Sequence, residues 1–382
     1  MDVQQLINQG NQHRSDRRPD LALACYAQAF VANPEAAAAW NNYGNVLREC
    51  GQAGRSIPFL QHAIALDPTN ATAQFNLAVS LLALGNYAQG WSQYEHRWNF
   101  EHLAGTLPNH SQPRWQGQDL QGQRVLILGE QGHGDNIQFM RFLFNLHAMG
   151  ARITYATTDA IRPMLEGSPV VERCVSMQDT VTDFDLWCPL MSVPGIMGVT
   201  LENLPRSVSY LTPRADLWAA WHKILGAKRR MRVGLAWSGR KDNWLNAHKS
   251  IPFDQICDWI TANPAPEWIN LQVDCTGQEQ QQLHSLGVRS FPGEIHSFAD
   301  SAALVSHCDV VITVDTAVAH LSAALGRPTW LMLNWFAPCW RWLQNRQDSP
   351  WYPTMRIFRQ SQQDQWQPVL NQVQQYLNWF KV

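Results

Sequence analysis

Residues 311–333 read VITVDTAVAHLSAALGRPTWLML, a strand-like run that stops at an aspartate before a short helix of small residues. A helix that begins at Thr316 or Ala317 would present free backbone N–H groups, and the positive end of its dipole, at the end of the strand. This arrangement is an anion site, and a diphosphate is the group that suits it. The alternative is that Asp315 is a plain N-cap and that the alanines only pack.

A second turn, GEQGHGDN at residues 129–136, joins the apolar run RVLILG to an amphipathic segment. It is not the dinucleotide-binding fingerprint, because Gly132 and Gly134 match G-x-G but Ile137 stands where the third glycine belongs. Asp135 lies just inside the predicted helix, where an acid favours the helix dipole. The same carboxylate, if it faces a cleft, could instead deprotonate an acceptor hydroxyl as a general base.

A polar loop, SGRKDNWLNAHKSIP at residues 238–252, follows a third strand end. It carries Arg240, Lys241, His248 and Lys249, and cations are needed where the charge of a leaving diphosphate grows. Lys249 is the candidate for that role because it lies just before the next predicted helix. A solvated surface lysine is the alternative.

Two further patterns are weaker indications of a binding site. DFD at residues 183–185 has the form of the metal-binding acid pair of some sugar transferases, but it lies inside an apparent strand, so no metal site is predicted. The runs APCWRWL (337–343) and SPWYP (349–353) could stack on a sugar or base. Because the chain has 18 tryptophans along its length, packing is the preferred interpretation for any single one.

The bulk composition excludes several classes of function. The 382 residues suffice for two or three domains, and the net charge of −2 without a basic cluster predicts no nucleic-acid partner. The N-terminal sequence has no pattern for export, and the longest apolar runs are far too short to span a membrane. The eight cysteines are isolated in the sequence and lack zinc-binding spacing, so we expect them to be reduced thiols. We therefore expect a cytoplasmic protein.

The first hundred residues align with themselves at a period of 34. Pro34 and Pro68 are one period apart, and so are the small residues Gly10, Gly44 and Ala78. This pattern resembles the tetratricopeptide repeat, in which small residues lie where two helices touch. It predicts about three repeats over residues 1–105, followed by a linker over 106–122. Such an array often binds an extended peptide; the alternative is that it only braces the rest of the chain or holds a dimer together.

Strand-like and helix-like segments alternate after the linker, which predicts two parallel-sheet α/β halves of Rossmann type. The first half covers residues 123–213, with strands at RITYATT, VVERCVSM and FDLWCPL and a helix at IRPMLEG. The second covers 214–382 and ends in an amphipathic helix. Two such halves imply a cleft between them, with ligands beyond the carboxyl ends of the strands.

In this order, GEQGHGDNIQFMRF, RVGLAWSG, HKSIP, VITVDTAVAHLSAALGRPTWLML and DSPWYPTMRIFRQ, behind the repeats, resemble a bacterial family. Its members carry tetratricopeptide repeats and a C-terminal part similar to the ADP-heptose:lipopolysaccharide heptosyltransferases of glycosyltransferase family 9. In architecture they are similar to O-linked N-acetylglucosamine transferases. The resemblance implies the GT-B fold, a nucleotide-sugar held mainly by the second half, and glycosyl transfer without a metal or other cofactor.

The resemblance also implies roles for individual residues. The Gly-Asp after the first strand supplies the base, which matches Gly134 and Asp135, and a loop lysine meets the phosphates, for which the nearest match is Lys249. An acidic or polar residue that approaches the ribose is matched by Gln278 or Glu279. Gly132, Ser238 and Gly239 are expected to line the cleft. The segment that contacts the diphosphate and sugar corresponds to Asp315, Thr316, Ala317, His320 and Leu321.

The leading hypothesis is therefore an inverting glycosyltransferase whose repeats present a protein or glycan acceptor. The competing hypothesis is a non-catalytic repeat scaffold whose α/β part binds nucleotide or has lost turnover. A nucleotide-sugar epimerase is disfavoured, because its signature acids and histidines do not appear in order. The sugar, the nucleotide base, the acceptor and the oligomeric state stay open.

Overall fold

A computed structural model describes residues 2–100, 103–239 and 246–380 of the chain. These residues form two compact units, and the first unit holds the repeats. The second unit holds two parallel sheets with their helices.

Six helices form three antiparallel pairs, as the repeat pattern predicts. A methyl group on Gly10 would lie 2.4 Å from the Tyr26 ring, and one on Gly44 would lie 2.8 Å from Leu60 Cγ. The small residues therefore stand where the two helices of each pair touch, which explains their 34-residue spacing. The helices are α1 (Val3–Ser15), α2 (Pro19–Ala32), α3 (Ala37–Glu49), α4 (Ala53–Leu66), α5 (Ala71–Ala83) and α6 (Tyr87–Tyr94).

Two later segments, Met197–Leu204 and Trp335–Arg346, belong to the same unit as the repeats. The Trp91 indole N–H donates to the Val199 carbonyl (3.0 Å), and the buried Trp340 ring packs edge-on against Trp91 at 5.5 Å between centroids. The Ala337 N–H donates to the carbonyl of Glu49 at the end of α3 (2.7 Å). These contacts join residues that are far apart in the sequence. The domain boundaries at residues 105, 122 and 213 stay predictions.

The first sheet of the second unit has four parallel strands in the order β3-β2-β1-β4. The predicted helix at IRPMLEG is only a short 3₁₀ turn, Arg162–Leu165, which has a proline in its first turn and is followed by Gly167 at a φ of 74°. The strands are β1 (Arg124–Leu128), β2 (Arg152–Thr157), β3 (Arg173–Ser176) and β4 (Leu186–Pro189); the helices are α7 (His133–Phe139), α8 (Arg141–Ala148) and α9 (Val193–Ile196).

The second sheet has five parallel strands in the order β6-β5-β7-β8-β9. They are β5 (Arg232–Ala236), β6 (Glu267–Asn270), β7 (Val310–Val314), β8 (Thr329–Leu333) and β9 (Met355–Arg359). The helices of this part are α10 (Ala215–Leu225), α11 (Asn246–Lys249), α12 (Phe253–Ala262), α13 (Gly277–Ser285), α14 (Phe298–Ser306), α15 (Ala317–Ala324) and α16 (Gln367–Trp379).

The core of the second sheet explains the predicted terminal helix. Val369, Leu370, Val373 and Leu377 lie on one face of α16 and are buried with apolar residues of the strands. All residues of β5, β7 and β8 are buried, as expected for parallel strands covered on both faces. The sequence interpretation of an α/β region with two parallel sheets is confirmed.

Candidate functional site

Strand order locates one crevice in each sheet. The chain runs outward from β1 through β2 to β3 and then returns to place β4 on the other side of β1. In the second sheet it runs from β5 to β6 and then returns to β7. Ligands of open parallel sheets bind beyond the carboxyl ends of the strands at such reversals. The turns after β1, β5 and β7 are those that the sequence analysis selected.

The turn after β1 is strained and capped by its own aspartate. Gln131 has a φ of 60°, an uncommon conformation for a residue other than glycine. The Gly132 N–H donates to Asp135 Oδ2 at 2.8 Å, so the half-buried carboxylate of Asp135 caps α7. Asp135 therefore has a structural role at the start of α7, where the sequence analysis expected an acid that favours the helix dipole, and any role as a base must use the same carboxylate.

The starts of α7 and α15 meet. A methyl group on Gly134 would lie 2.8 Å from His320 Cδ2 and 3.5 Å from the Ala317 Cα. Gly134 and Ala317 both belong to the first turn of their helices. The glycine and the alanine thus permit a close approach between the two anion-favouring helix ends, one from each sheet.

The start of α15 remains accessible at this meeting point. Thr316 is the N-cap residue in an extended conformation, and its hydroxyl lies 3.3 Å from the hydroxyl of Thr313. Asp315, Thr316 and Ala317 are each half-buried. Because the first N–H groups of a helix have no partner within the helix, they can donate to an anion here.

His320 is buried on α15, with 5% of its surface exposed. Its Nδ1 lies 2.9 Å from the Tyr352 hydroxyl, while its Cδ2–Nε2 edge faces Gly134. The ring is therefore held on one side and directed at the meeting point on the other.

The loop after β5 forms a small polar network. The Gly239 N–H donates to Asn246 Oδ1 (2.6 Å), and the Ser238 hydroxyl lies 3.0 Å from that of Ser250. Lys249 ends the short helix α11 and lies beside Gly239, since a methyl group on this glycine would be 3.1 Å from Lys249 Cε. Arg240 and Lys241, predicted near the cleft, lie outside the described residues.

A pocket of about 110 Å³ opens beside this loop, at the carboxyl ends of β5 and β6. Gln278 is exposed and does not line this pocket. Its neighbour Glu279 does line the pocket. The Glu279 carboxylate also accepts the N–H of Thr276 (2.6 Å) and thereby caps α13. The lining residues are Trp237, Ser238, Ser250, Ile251, Phe253, Gln272, Asp274 and Glu279.

Sequence reasoning missed three polar residues of these crevices. Gln272 accepts the Ser238 N–H (3.1 Å) and donates to Asp274, so both line the pocket from the end of β6. Glu130 is buried with 8% of its surface exposed and accepts the N–H of Met191, which follows β4, at 2.9 Å. Glu130 directly follows the predicted strand RVLILG, and this position was the signal that could have found it. Gln272 and Asp274 lie within the run WINLQVDC, which was predicted as a strand, whereas β6 ends at Asn270.

The weaker sequence patterns have structural explanations. Asp185 accepts hydrogen bonds from Arg124, which lower the pKa of this carboxyl to about 2, and Asp183 pairs with Arg173 at 2.9 Å. The Trp340 ring lies in the repeat unit, and Trp351 is fully buried in the second unit. Packing is thus the role of these two tryptophans.

Family models match three parts of the chain. Tetratricopeptide-repeat models match residues 7–71 and 59–91, and the model of glycosyltransferase family 9 (heptosyltransferase) matches residues 295–330, which contain β7 and α15. The chain carries tetratricopeptide repeats and a heptosyltransferase-like family 9 domain. The family 9 match supports a glycosyltransferase.

One curated protein and two solved structures are similar to this chain. Protein FlbA of Caulobacter vibrioides is 29% identical over 425 residues, covering 94% of this chain and 70% of FlbA. The family 9 domain shares its GT-B-like fold with a family 9 glycosyl transferase from Veillonella parvula (TM-score 0.50, 11% identity), a match over 64% of this chain and 88% of that one. The E. coli ADP-heptose heptosyltransferase II is also similar (TM-score 0.47, 14% identity, 67% of this chain and 97% of that one).

The helices of the structure bear on whether the chain crosses a membrane. Within residues 2–100, 103–239 and 246–380, no helix has the length and apolar character needed to cross a bilayer.

We predict that Gly134→Ala destabilises the family 9 domain. The added methyl group would lie 2.8 Å from a buried histidine ring that is held by Tyr352, so relief requires the two helices to separate. Overpacking of this kind costs about 1–3 kcal/mol of the free energy of unfolding, measurable by denaturant titration. Gly277→Ala, whose methyl group would meet nothing within 4 Å, is the control. Equal stabilities of the two variants would contradict the close approach.

Proposed function

We propose that this protein is an inverting, metal-independent glycosyltransferase that moves a sugar from a nucleotide-sugar to a hydroxyl of a protein or glycan. The observation that carries the proposal is the meeting of the α7 and α15 starts, where Gly134 contacts His320 and Ala317. A base on α7 and a diphosphate bound at the start of α15 would therefore be close to each other.

The diphosphate would bind at the start of α15. The N–H groups there offer directed donors, and the helix dipole adds about half a positive charge. Lys249, after the neighbouring strand β5, would supply a full positive charge as the diphosphate departs. β5 and β7 are adjacent strands, so the loop that follows β5 and the start of α15 lie at neighbouring strand ends, which supports a diphosphate shared between them.

The nucleoside would occupy the pocket at the ends of β5 and β6. Asp274 and Glu279 bring carboxylates to it, and carboxylate oxygens accept hydrogen bonds from ribose hydroxyls. Trp237 and Phe253 add aromatic surface for a base. Because β6, β5 and β7 are consecutive in the sheet, a nucleoside diphosphate would lie across three strand ends.

In the reaction, Asp135 would accept the proton of the acceptor hydroxyl. The acceptor oxygen then forms the new bond to the anomeric carbon while the bond from that carbon to the phosphate oxygen breaks, and its electron pair leaves with the diphosphate. Attack opposite to the leaving group inverts the anomeric configuration. Gly134, the neighbour of Asp135, approaches His320 and Ala317 at the proposed diphosphate site, and this supports the role of Asp135 as the base.

The repeats would bind the acceptor or another protein. Part of their surface already contacts the chain's own segments, because Trp340 and Val199 contact Trp91 of α6. The Ala337 N–H also contacts the Glu49 carbonyl of the second repeat, so an outside partner would use the surface of the first two repeats away from that contact. The contacts of Trp91 favour the bracing role for the third repeat.

One observation favours the alternative of a nucleotide-binding scaffold without turnover. Asp135 caps α7, which is a sufficient structural reason for an acid at this position. Turnover measurements on the Asp135 variant below distinguish the two proposals.

A thermal-shift screen tests the binding half of the proposal. We expect ADP, GDP or UDP, or one of their sugar conjugates, to raise the melting temperature, because a ligand bound only by the folded state stabilises it. Incubation of the stabilising conjugate with an acceptor-containing lysate should then release nucleoside diphosphate. No stabilisation by any of the three nucleotides or their conjugates would contradict the proposal.

EDTA should leave both nucleotide binding and sugar transfer unchanged. The N–H groups of α15 and the Lys249 ammonium would carry the diphosphate charge in place of a divalent cation. Initial rates with and without EDTA, and after added magnesium or manganese, are the measurement. Loss of transfer in EDTA that a metal restores would contradict the metal-independent mechanism.

A further inference from the structure

Arg141 is a buried cation in the second unit, with 4% of its surface exposed. It lies on α8, directly after the helix that carries Asp135. Its Nε donates to the Gln138 carbonyl (2.9 Å), and its Nη1 donates to the carbonyls of Trp351 (2.7 Å) and Pro205 (3.3 Å). It therefore joins α8 to two segments of later sequence.

Aromatic rings surround the guanidinium instead of an acid. Its Cζ lies 4.7 Å from the ring centres of both Tyr210 and Tyr352, and 5.2 Å from that of Trp351. Within the part of the chain that the structure describes, no carboxylate pairs with Arg141. Ring faces and carbonyl oxygens stabilise the charge without neutralising it, so the surroundings of Arg141 disfavour a second buried cation.

The hydrogen bonds of this cluster determine where the Tyr352 proton goes. The Tyr210 hydroxyl donates to the Ile137 carbonyl at 2.8 Å, so towards Tyr352 it can only accept. Tyr352 lies 3.5 Å from the Tyr210 oxygen but only 2.9 Å from Nδ1 of His320. Burial raises the pKa of Tyr352 well above its ordinary value, so its hydroxyl stays protonated. Of these two contacts, the shorter one favours His320 Nδ1 as the acceptor.

A histidine that accepts at Nδ1 is neutral and carries its proton on Nε2. The Nε2 edge faces Gly134, where the starts of α7 and α15 meet. A neutral donor is thus directed at the candidate anion site.

We propose that Tyr352 and Arg141 are positioning residues that hold His320 as a neutral imidazole with its proton on Nε2, ready to donate a hydrogen bond to the bound diphosphate or its sugar. The ligand half of this inference rests on the proposed function. The opposite tautomer would turn a nitrogen lone pair towards the anion and repel it.

The test begins with the wild-type ring. Two-bond ¹H–¹⁵N spectra of the full chain at neutral pH, with His320→Gln to assign the resonances, should place the proton on Nε2 and show an unprotonated Nδ1 that accepts a hydrogen bond. A proton on Nδ1, or on both nitrogens, would overturn the proposal. This measurement does not depend on the folding of the Tyr352 variant.

Tyr352→Phe removes the donor hydroxyl and keeps the ring over Arg141. We expect the Nδ1 resonance of His320 to move, and the affinity for whichever of ADP, GDP and UDP binds the wild type to fall about tenfold by calorimetry. The matched control is Tyr26→Phe in the repeats, which also removes a buried hydroxyl with a 2.7 Å hydrogen bond, here to Asn11. It should change neither quantity.

The outcomes separate this inference from the proposed function. An unchanged Nδ1 resonance and unchanged affinity in Tyr352→Phe would overturn the positioning role even if the wild type binds nucleotide. If none of the three nucleotides binds the wild type, the proposed function and the ligand half both fail. The wild-type spectrum and the shift in Tyr352→Phe would still decide how His320 is held.

Discussion

Asp135→Asn should lower the rate of sugar transfer by about 10²–10⁴-fold, the usual contribution of a general base, while nucleoside diphosphate binding stays close to that of the wild type. Asparagine keeps an oxygen that can accept the Gly132 N–H, so α7 remains capped. It cannot take a proton from the acceptor. The substitution therefore separates the catalytic role of this residue from its structural role. Initial rates and calorimetry on one preparation provide both measurements.

Asp300→Asn is the matched control for this change. Asp300 holds the same position in α14 and caps it by accepting the Ser297 N–H (3.0 Å). Its substitution should change the melting temperature about as much as Asp135→Asn does, without an effect on turnover. If Asp135→Asn keeps wild-type turnover, its carboxylate is only a cap. Glu130, the buried acid of the same turn, would then be the next candidate.

Lys249→Ala should weaken nucleoside diphosphate binding by about 1.5–3 kcal/mol, or roughly 10- to 150-fold, the range for a hydrogen bond to a charged group. Lys249 is half-buried, and its Cε lies beside Gly239 in the loop that follows β5. Added salt should lower the affinity of the variant for nucleoside diphosphate less than it lowers that of the wild type, because the variant lacks one charge contact.

Lys223→Ala is the control for Lys249→Ala. Lys223 is exposed on α10, and its removal changes the net charge of the protein by the same amount. Calorimetry should find its nucleotide affinity equal to that of the wild type. Equal affinities in all three proteins would remove Lys249 from the phosphate site.

The repeats and the strand–helix alternation could be predicted because they depend on local patterns. Each small residue at the 34-residue spacing contacts a large residue of the same repeat, as Gly10 contacts Tyr26. Strand β9 and the 3₁₀ turn at Arg162–Leu165 escaped prediction, because a short edge strand and a proline-containing turn have no periodicity of their own. The place of Trp340 in the repeat unit also escaped, since its partners Tyr87 and Trp91 lie far away in the sequence.

The candidate site also contains residues that the sequence could select and residues that only the structure reveals. Asp135, Asp315 and Lys249 could be selected because each lies just beyond a predicted strand, near the start or the end of a predicted helix. Gln272 and Asp274 line the pocket only because β6 pairs with β5, a pairing that no local pattern reveals. The exposure of Gln278 and the inward position of Glu279 depend on the rotation of α13.

By itself the sequence determined the classes of element, their order, and which strand ends carry polar residues, because side-chain periodicity and turn chemistry act over a few residues. Tertiary structure decided the strand orders that create the crevices, the contact between Gly134 and His320, and the burial of Arg141 among Tyr210, Trp351 and Tyr352. These features depend on packing between segments that are distant in the chain. Such packing follows from the shape and burial of whole surfaces, which no short stretch of sequence contains.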